Sequence, residues 1–227
     1  MNTRNSILII VCLASGFFIA YSRKDHSKEY VIKNEYVKVT DNSDGEGRAF
    51  TIAPLRSVNH FCNINLASSY GKLLGKAIID ACRDLSCTHN DADFQLEISQ
   101  NTDGMLISVY LYQKQLAPVS FTCPFCESLM LKGSVLAENE LVRAFEKSKP
   151  ARQPINFLIA PKKHIVNYKD KEDVIEIFIA QLAMAQVLAN CLENKDDIML
   201  FVNNGPGAGQ AVFHSHMHFL TSSSWKK

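Results

Sequence analysis

The sequence predicts an α+β fold: two copies of a unit built from a mainly antiparallel sheet and one helix, forming an intramolecular pseudo-dimer. Three observations predict it. The chain has 227 residues, 47% apolar and 21% charged, enough for one large domain or two small ones. Two distant stretches, AFTIAPLRSVNHF (49–61) and NFLIAPKKHIVNY (156–168), share the pattern Phe-x-Ile-Ala-Pro. Around each, strand-like runs flank one long helix-like run in the same order.

The elements follow one another in pairs. NEYVKV (34–39) answers NELVRA (139–144), and the Phe-x-Ile-Ala-Pro strands come next. SSYGKLLGKAIIDACRDL (68–85) answers DVIEIFIAQLAMAQVLANCLE (173–193); both place apolar residues on one broad stripe at helical period. DFQLEIS (93–99) answers DIMLFVN (197–203), both strand-like. Last, ISVYLYQ (107–113) answers FHSHMHF (213–219), which sets Ser108, Tyr110 and Tyr112 in the places of His214, His216 and His218. The division that results is an N-terminal segment 1–25, a degenerate half 30–120 and a half 121–227 that keeps the histidines.

The net charge of +1 and the lack of a basic, aromatic-interleaved run give no support to a nucleic-acid partner. The N-terminus is different. SILIIVCLASGFFIAY (6–21) is uncharged, preceded by Arg4 and followed by Arg23 and Lys24. At roughly 15 residues it suits the apolar region of a signal peptide or a tight membrane anchor. The expectation is export or anchoring, with the flanking charges too balanced to set the side. Seven cysteines show no dense disulfide framework; Cys82 and Cys191 are expected to pack inside helices.

The chemistry is concentrated in GQAVFHSHMHFL (209–220). Read as a strand, it puts Val212, His214, His216, His218 and Leu220 on one face and Phe213, Ser215, Met217 and Phe219 on the other. Same-face neighbours on a strand lie roughly 6.5–7 Å apart, too wide for three imidazoles to close on one metal ion. A row of this kind suits one reactive histidine flanked by two that orient it. The Gly-rich turn before it, Asn203 to Gln210, lets backbone approach a ligand and offer N–H groups to phosphate oxygens.

NNGPGAGQAVFHSHMHFL (203–220) closely resembles the end of the histidine triad (HIT) domain, whose signature is His-x-His-x-His followed by apolar residues. Cys123-Pro124-Phe125-Cys126 resembles the Cys-x-x-Cys opening of many bacterial members, and NFLIAPKKHI resembles their central strand and Pro-Lys-Lys-His segment. The resemblance covers 123–225 and implies an enzyme: a nucleotidyl hydrolase or transferase acting on phosphoramidates or phosphoanhydrides of nucleotides. It makes His216 the nucleophile on the α-phosphorus, a neutral imidazole whose other nitrogen donates its proton to a backbone carbonyl. It implies that His214 and His218 orient that ring and contact phosphate oxygens. Gln210 and the Gly209 backbone would hold the phosphate and leaving group, with Asn203 nearby.

No cofactor is required by that chemistry. In zinc-containing members a histidine before the Phe-Leu-Ile strand joins the two cysteines and the first triad histidine. That position is Asn156 here, a substrate-side position by the same resemblance, so Cys123, Cys126 and His214 leave zinc one ligand short; zinc stays possible if water or another side chain fills that place, and the alternative is a site without zinc. Two more departures bear on the substrate: Ala211 replaces a phosphate-binding serine, and Glu146 is the sole acid near the ribose-gripping position, out of register. These departures support the alternative of a catalytically weak nucleotide- or metal-binding module tethered to a membrane. The family's usual homodimer implies here a monomer that supplies both halves, with Trp225 reaching across from the C-terminus.

Overall fold

The structure is a computed structural model and describes residues 9–12, 17–22, 29–33, 35–43, 47–116, 123–126, 135–146, 155–169 and 173–224. Trp225 and much of the N-terminal segment 1–25 lie outside the described residues. Within that segment the apolar run is not a helix where it is described. Ile9–Cys12 (β1), Phe17–Ser22 (β2) and Glu29–Lys33 (β3) pair as a small antiparallel sheet.

All other strands form one nine-stranded sheet. The first half contributes Val37–Asp41 (β4), Arg48–Pro54 (β5), Asp93–Asn101 (β6) and Gly104–Tyr112 (β7), with the helix Ser69–Thr88 (α1) between β5 and β6. The second contributes Val135–Glu138 (β8), Val142–Glu146 (β9), Ile155–Pro161 (β10), Ile198–Asn204 (β11) and Met217–Thr221 (β12), with Asp173–Asn190 (α2) between β10 and β11. The order across the sheet is β4-β5-β7-β6-β11-β12-β10-β9-β8, and among the described residues its neighbouring strands pair antiparallel. Apart from β8, the order reads the same from either end: strand, Phe-x-Ile-Ala-Pro strand, last strand, inner strand.

The halves meet at β6 and β11, which pair from Phe94↔Asn204 to Gln100↔Ile198. The centre of this ladder is Glu97↔Phe201. Alternation does the rest. Phe94, Leu96 and Ile98 of β6 and Ile198, Leu200 and Val202 of β11 turn to one face and are buried. Both helices cover that face and pack on each other. Gly75 of α1 permits the approach, since a Cβ there would lie 2.9 Å from Ile179 Cγ1. Further ties cross the halves: Gln186 Nε2 donates to the carbonyls of Phe61 and Ile64 at 2.8 and 2.9 Å.

The two helices differ. In α1 the apolar stripe, from Leu74 through Ile78 and Ala81 to Leu85, is buried while Lys72 and Lys76 stay exposed. In α2 apolar residues run almost around the helix, long and apolar enough to cross a membrane by composition, yet Val174, Phe178, Leu182, Ala185 and Leu188 form the core. Its one buried amide, Gln181, is satisfied: it accepts from Tyr168 Oη and donates to Ile159 O at 2.8 Å. Cys82 packs in the core as expected. Cys191 does not: it sits one residue past α2 and is exposed.

Candidate active site

Three strand ends meet at one end of the sheet: the C-termini of β10 and β11 and the N-terminus of β12. β12 pairs with both neighbours, through Leu158↔His218 and Phe201↔His218. Residues that leave β10 and enter β12 are therefore brought side by side although about fifty positions separate them.

The expectation of one straight row of histidines is corrected. β12 begins at Met217, so only His218 stands on a strand; His214, Ser215 and His216 lie in an irregular bend before it. The bend is held by Ser215 N donating to Ile165 O at 2.5 Å. Freed from strand spacing, the rings come close. His216 and His218 have centroids 4.9 Å apart, and His214 and His216 each contact Phe125, at 5.3 and 5.2 Å.

His216 is nearly buried, and its Nδ1 lies 2.8 Å from the carbonyl oxygen of His214. A carbonyl only accepts, so that contact fixes the proton on Nδ1 and the lone pair on Nε2. His218 stacks flat on Phe201, centroids 4.2 Å apart and planes at 6°, with its Nδ1 3.4 Å from Asn156 Oδ1. Asn156 thus orients the third histidine, a role its sequence position did not reveal.

His214 is placed differently. Its Nε2 is 2.9 Å from Pro161 O and its Nδ1 is 3.3 Å from Cys123 Sγ and 3.5 Å from Cys126 Sγ. Both ring nitrogens are engaged away from any phosphate, so it serves His216 through its carbonyl. Burial, reinforced by His164 and His216 and opposed by the Pro161 carbonyl, lowers its pKa to about 4, so the ring is neutral.

His164 stands where a fourth ligand would be needed. Its Nδ1 is 3.1 Å from Cys126 Sγ, and the donor atoms of Cys123, Cys126, His164 and His214 all lie within 4.8 Å of one another. Two thiols and two imidazoles at these separations fit a tetrahedral zinc ion, with sulfur ligands near 2.3 Å and nitrogen ligands near 2.0–2.1 Å. The Pro161 carbonyl on His214 Nε2 is an outer contact that would leave Nδ1 to face a metal held there. Asn156 lies on β10 opposite Leu220 and takes no part. The Pro-Lys-Lys-His segment carried the signal: a second histidine leaving the strand beside β12.

Two further expectations change, those for Gln210 and Gly209. Gln210 is buried and its side chain ties the glycine turn together, donating to Val166 O (2.7 Å) and Val212 O (3.1 Å) and accepting from Gly205 N (2.8 Å). Gly209 N–H donates to Pro206 O at 2.9 Å and takes a left-handed φ of +82°, so it closes the turn rather than presenting its N–H to a ligand. Asn203 accepts from Gln95 Nε2 at 3.0 Å and reaches Gly209 O at 3.5 Å on the open face of the sheet. Glu146 shares the strand face of Val142 and Ala144, the helix side, while Phe145 turns to the site and packs on Phe125. Glu146 therefore turns away from the site, in keeping with its being out of register.

A sequence model of the HIT domain matches residues 130–224. A HIT-like protein of Chlamydia trachomatis is 35% identical over 75 residues, 33% of this chain and 68% of that protein. A 16.1 kDa HIT-like protein of Mycoplasma pneumoniae is 35% identical over 117 residues, 48% of this chain and 77% of that protein. Among solved structures, a uridylyltransferase superposes with a TM-score of 0.62 at 14% identity, over 86% of this chain and 77% of that one. An ADP-glucose phosphorylase from Arabidopsis thaliana superposes with a TM-score of 0.59 at 14% identity, over 91% of this chain and 76% of that one. The last two establish a shared fold, and their coverage extends over both halves.

Proposed function

The chain belongs to the HIT family, and from that premise we propose that it is a nucleotidyl hydrolase or transferase with His216 as its nucleophile. The observation that supports this most is the 2.8 Å contact between His216 Nδ1 and His214 O, which leaves the lone pair on Nε2. In the proposed reaction Nε2 attacks the α-phosphorus of a nucleotide and the phosphorus–leaving group bond breaks. The leaving group departs with the electron pair and takes up a proton. Water then attacks the phosphorus, the phosphorus–Nε2 bond breaks, and a nucleoside monophosphate and a neutral imidazole remain. His218, held by Phe201 and Asn156, lies beside the attacking ring.

Zinc on Cys123, Cys126, His164 and His214 is part of the proposal. Bound there, it supplies structural cross-linking between the Cys-x-x-Cys segment, the end of β10 and the bend before β12. The two halves are read as a duplication in which the chain makes its own dimer, so the protein is expected to be a monomer by light scattering. The apolar run at 6–21 is read as an export or anchoring segment, checked by fractionating cells expressing the full chain.

The test is intact mass after mixing with adenosine phosphoramidate and quenching in alkali. Wild type is expected to gain one adenylyl group and His216→Ala none. Turnover that persists in His216→Ala would refute the mechanism. A probe that binds without adduct or released AMP would favour the weak binding module, for which the loss at Ala211 speaks.

A further inference from the structure

We infer that the half without the triad positions the nucleophile of the other, and that Asp93 of β6 is the positioning residue. This rests on His216 being the nucleophile.

The contact is direct. Asp93 is 3% exposed, and its carboxylate accepts from Gly207 N at 2.8 Å and from Gln115 N at 3.2 Å. Lys169 Nζ lies 3.4 Å from the same carboxylate and donates to the carbonyls of Asp91 and Ala92 at 2.9 and 2.8 Å. The glycine turn sits against this side chain: a Cβ on Gly205, whose φ is +96°, would lie 2.1 Å from Asp93 Oδ1. One residue pair along, on the same face of β6, Gln95 holds Asn203. The turn thus receives two side chains from the first half before the chain runs on through Gln210 to His214 and His216.

The relation is one-way, and this separates positioning from ordinary strand-end capping. Asp197 is the sequence counterpart of Asp93, and its carboxylate also accepts from backbone just past the neighbouring strand, Ser222 N at 3.1 Å, and from the Ser222 hydroxyl. That local job matches the Asp93–Gln115 contact. Among the described residues Asp197 makes no such contact with the β6–β7 turn, where only Thr102 and Asp103 lie between the paired strands. Removing the Asp93 carboxylate strands the Gly207 N–H and the buried side of Lys169, and loosens the lead into the bend that fixes His216. Small displacements of a reacting group cost rate steeply.

The experiment uses the full chain as wild type, Asp93→Ala, Asp93→Asn and Asp197→Asn. It reads amide exchange over 203–216, the rate and amplitude of adenylyl adduct formation, and kcat and KM. Asp93→Ala is expected to speed exchange in the turn about tenfold. It should slow adduct formation and kcat about tenfold, at full amplitude and with KM within about twofold. Asp93→Asn keeps an acceptor for Gly207 and should lose only about threefold. Asp197→Asn should match wild type in rate. If the alanine variant does not fold, the asparagine variant decides by the same readings. Unchanged exchange in the turn overturns the proposal, as does a loosened turn with an unchanged rate. A lower amplitude at wild-type rate also overturns it, since that marks a misfolded fraction. A wild type that forms no adduct overturns the nucleophile reading and this inference together, whereas a working wild type with an indifferent Asp93 overturns this inference alone.

Discussion

The β6–β7 connection and the β11–β12 connection occupy corresponding places in the two halves and have opposite characters. In the first half the ladder continues to Asn101↔Gly104, so only Thr102 and Asp103 are left to turn. Asn101 Oδ1 caps that turn from Asp103 N and Gly104 N, at 2.9 and 3.1 Å. In the second half the β11–β12 ladder stops at Val202↔Met217, and residues 203–216 lie beyond it. The equivalent pair in the first half is Ile98↔Ile107, with residues 99–106 between. Fourteen residues therefore stand where the first half has eight. The register also revises which residues correspond. Glu97↔Ser108 and Phe201↔His218 are matching pairs, so Ser108 stands where His218 does. Tyr110 and Tyr112 then face no triad position, contrary to the pairing the sequence suggested. His214 and His216 lie in a longer connection on a sheet frame that both halves share, and His218 is a substitution on that frame. The lesson is that the sheet frame can be kept while most of the triad is carried by one connection.

The sharpest way to break this comparison is at the proposed nucleophile. His216→Ala is expected to lower turnover by at least about a thousandfold, while Leu106→Ala, nearest its place in the first half, changes rate by less than about twofold. Steady-state release of AMP checks both. A comparable loss at Leu106 would show the first half to be chemically active.

Zinc gives the next largest effect. One zinc per chain is expected by elemental analysis, and none in Cys126→Ser. Chelation should cost about 4 kcal/mol relative to free zinc a thousandfold above its Kd, read as a shift in the urea midpoint. Full stability after complete metal removal would refute the site.

The two glycine turns sharpen the comparison further. Gly104 has a φ of +135° but nothing closer than 3.8 Å to a new Cβ, whereas Gly205 combines φ of +96° with the Asp93 carboxylate. Gly104→Ala should cost about 1 kcal/mol and Gly205→Ala about 3 kcal/mol. Equal costs would mean that the glycine turn before the histidines is not seated on the first half.

The smallest effect lies in α1, which carries a half-buried acid. Burial, with Asp80 adding repulsion and Arg83 and Lys76 opposing, raises the Asp84 pKa to about 6. A folded pKa above the unfolded value means the folded state binds the proton more tightly. Asp84 therefore detracts from stability at pH 7, and its penalty disappears as pH falls through about 6 toward 4. Asp84→Asn should raise stability slightly at pH 7 and flatten its rise between pH 7 and 4, measured by urea unfolding across that range.

Legible in the sequence by itself were the order of elements from β4 onward, apart from β8, and the histidine and Cys-x-x-Cys motifs of the site. Helical stripes and strand alternation are local periodicities, and the Phe-x-Ile-Ala-Pro pair and the His-x-His-x-His motif are local strings, so both are legible along the chain. Only the tertiary structure decided which partners those residues meet. His164 completes the cysteine cluster because β10 and β12 are neighbours in the sheet. Asn156 reaches His218 for the same reason. Gln210 and Gly209 close the turn, and Asp93 seats it, because β6 and β11 pair across the halves. Pairing between strands a hundred residues apart is set by the packing of the whole sheet and its two helices. It leaves no periodicity in either strand from which it could be read.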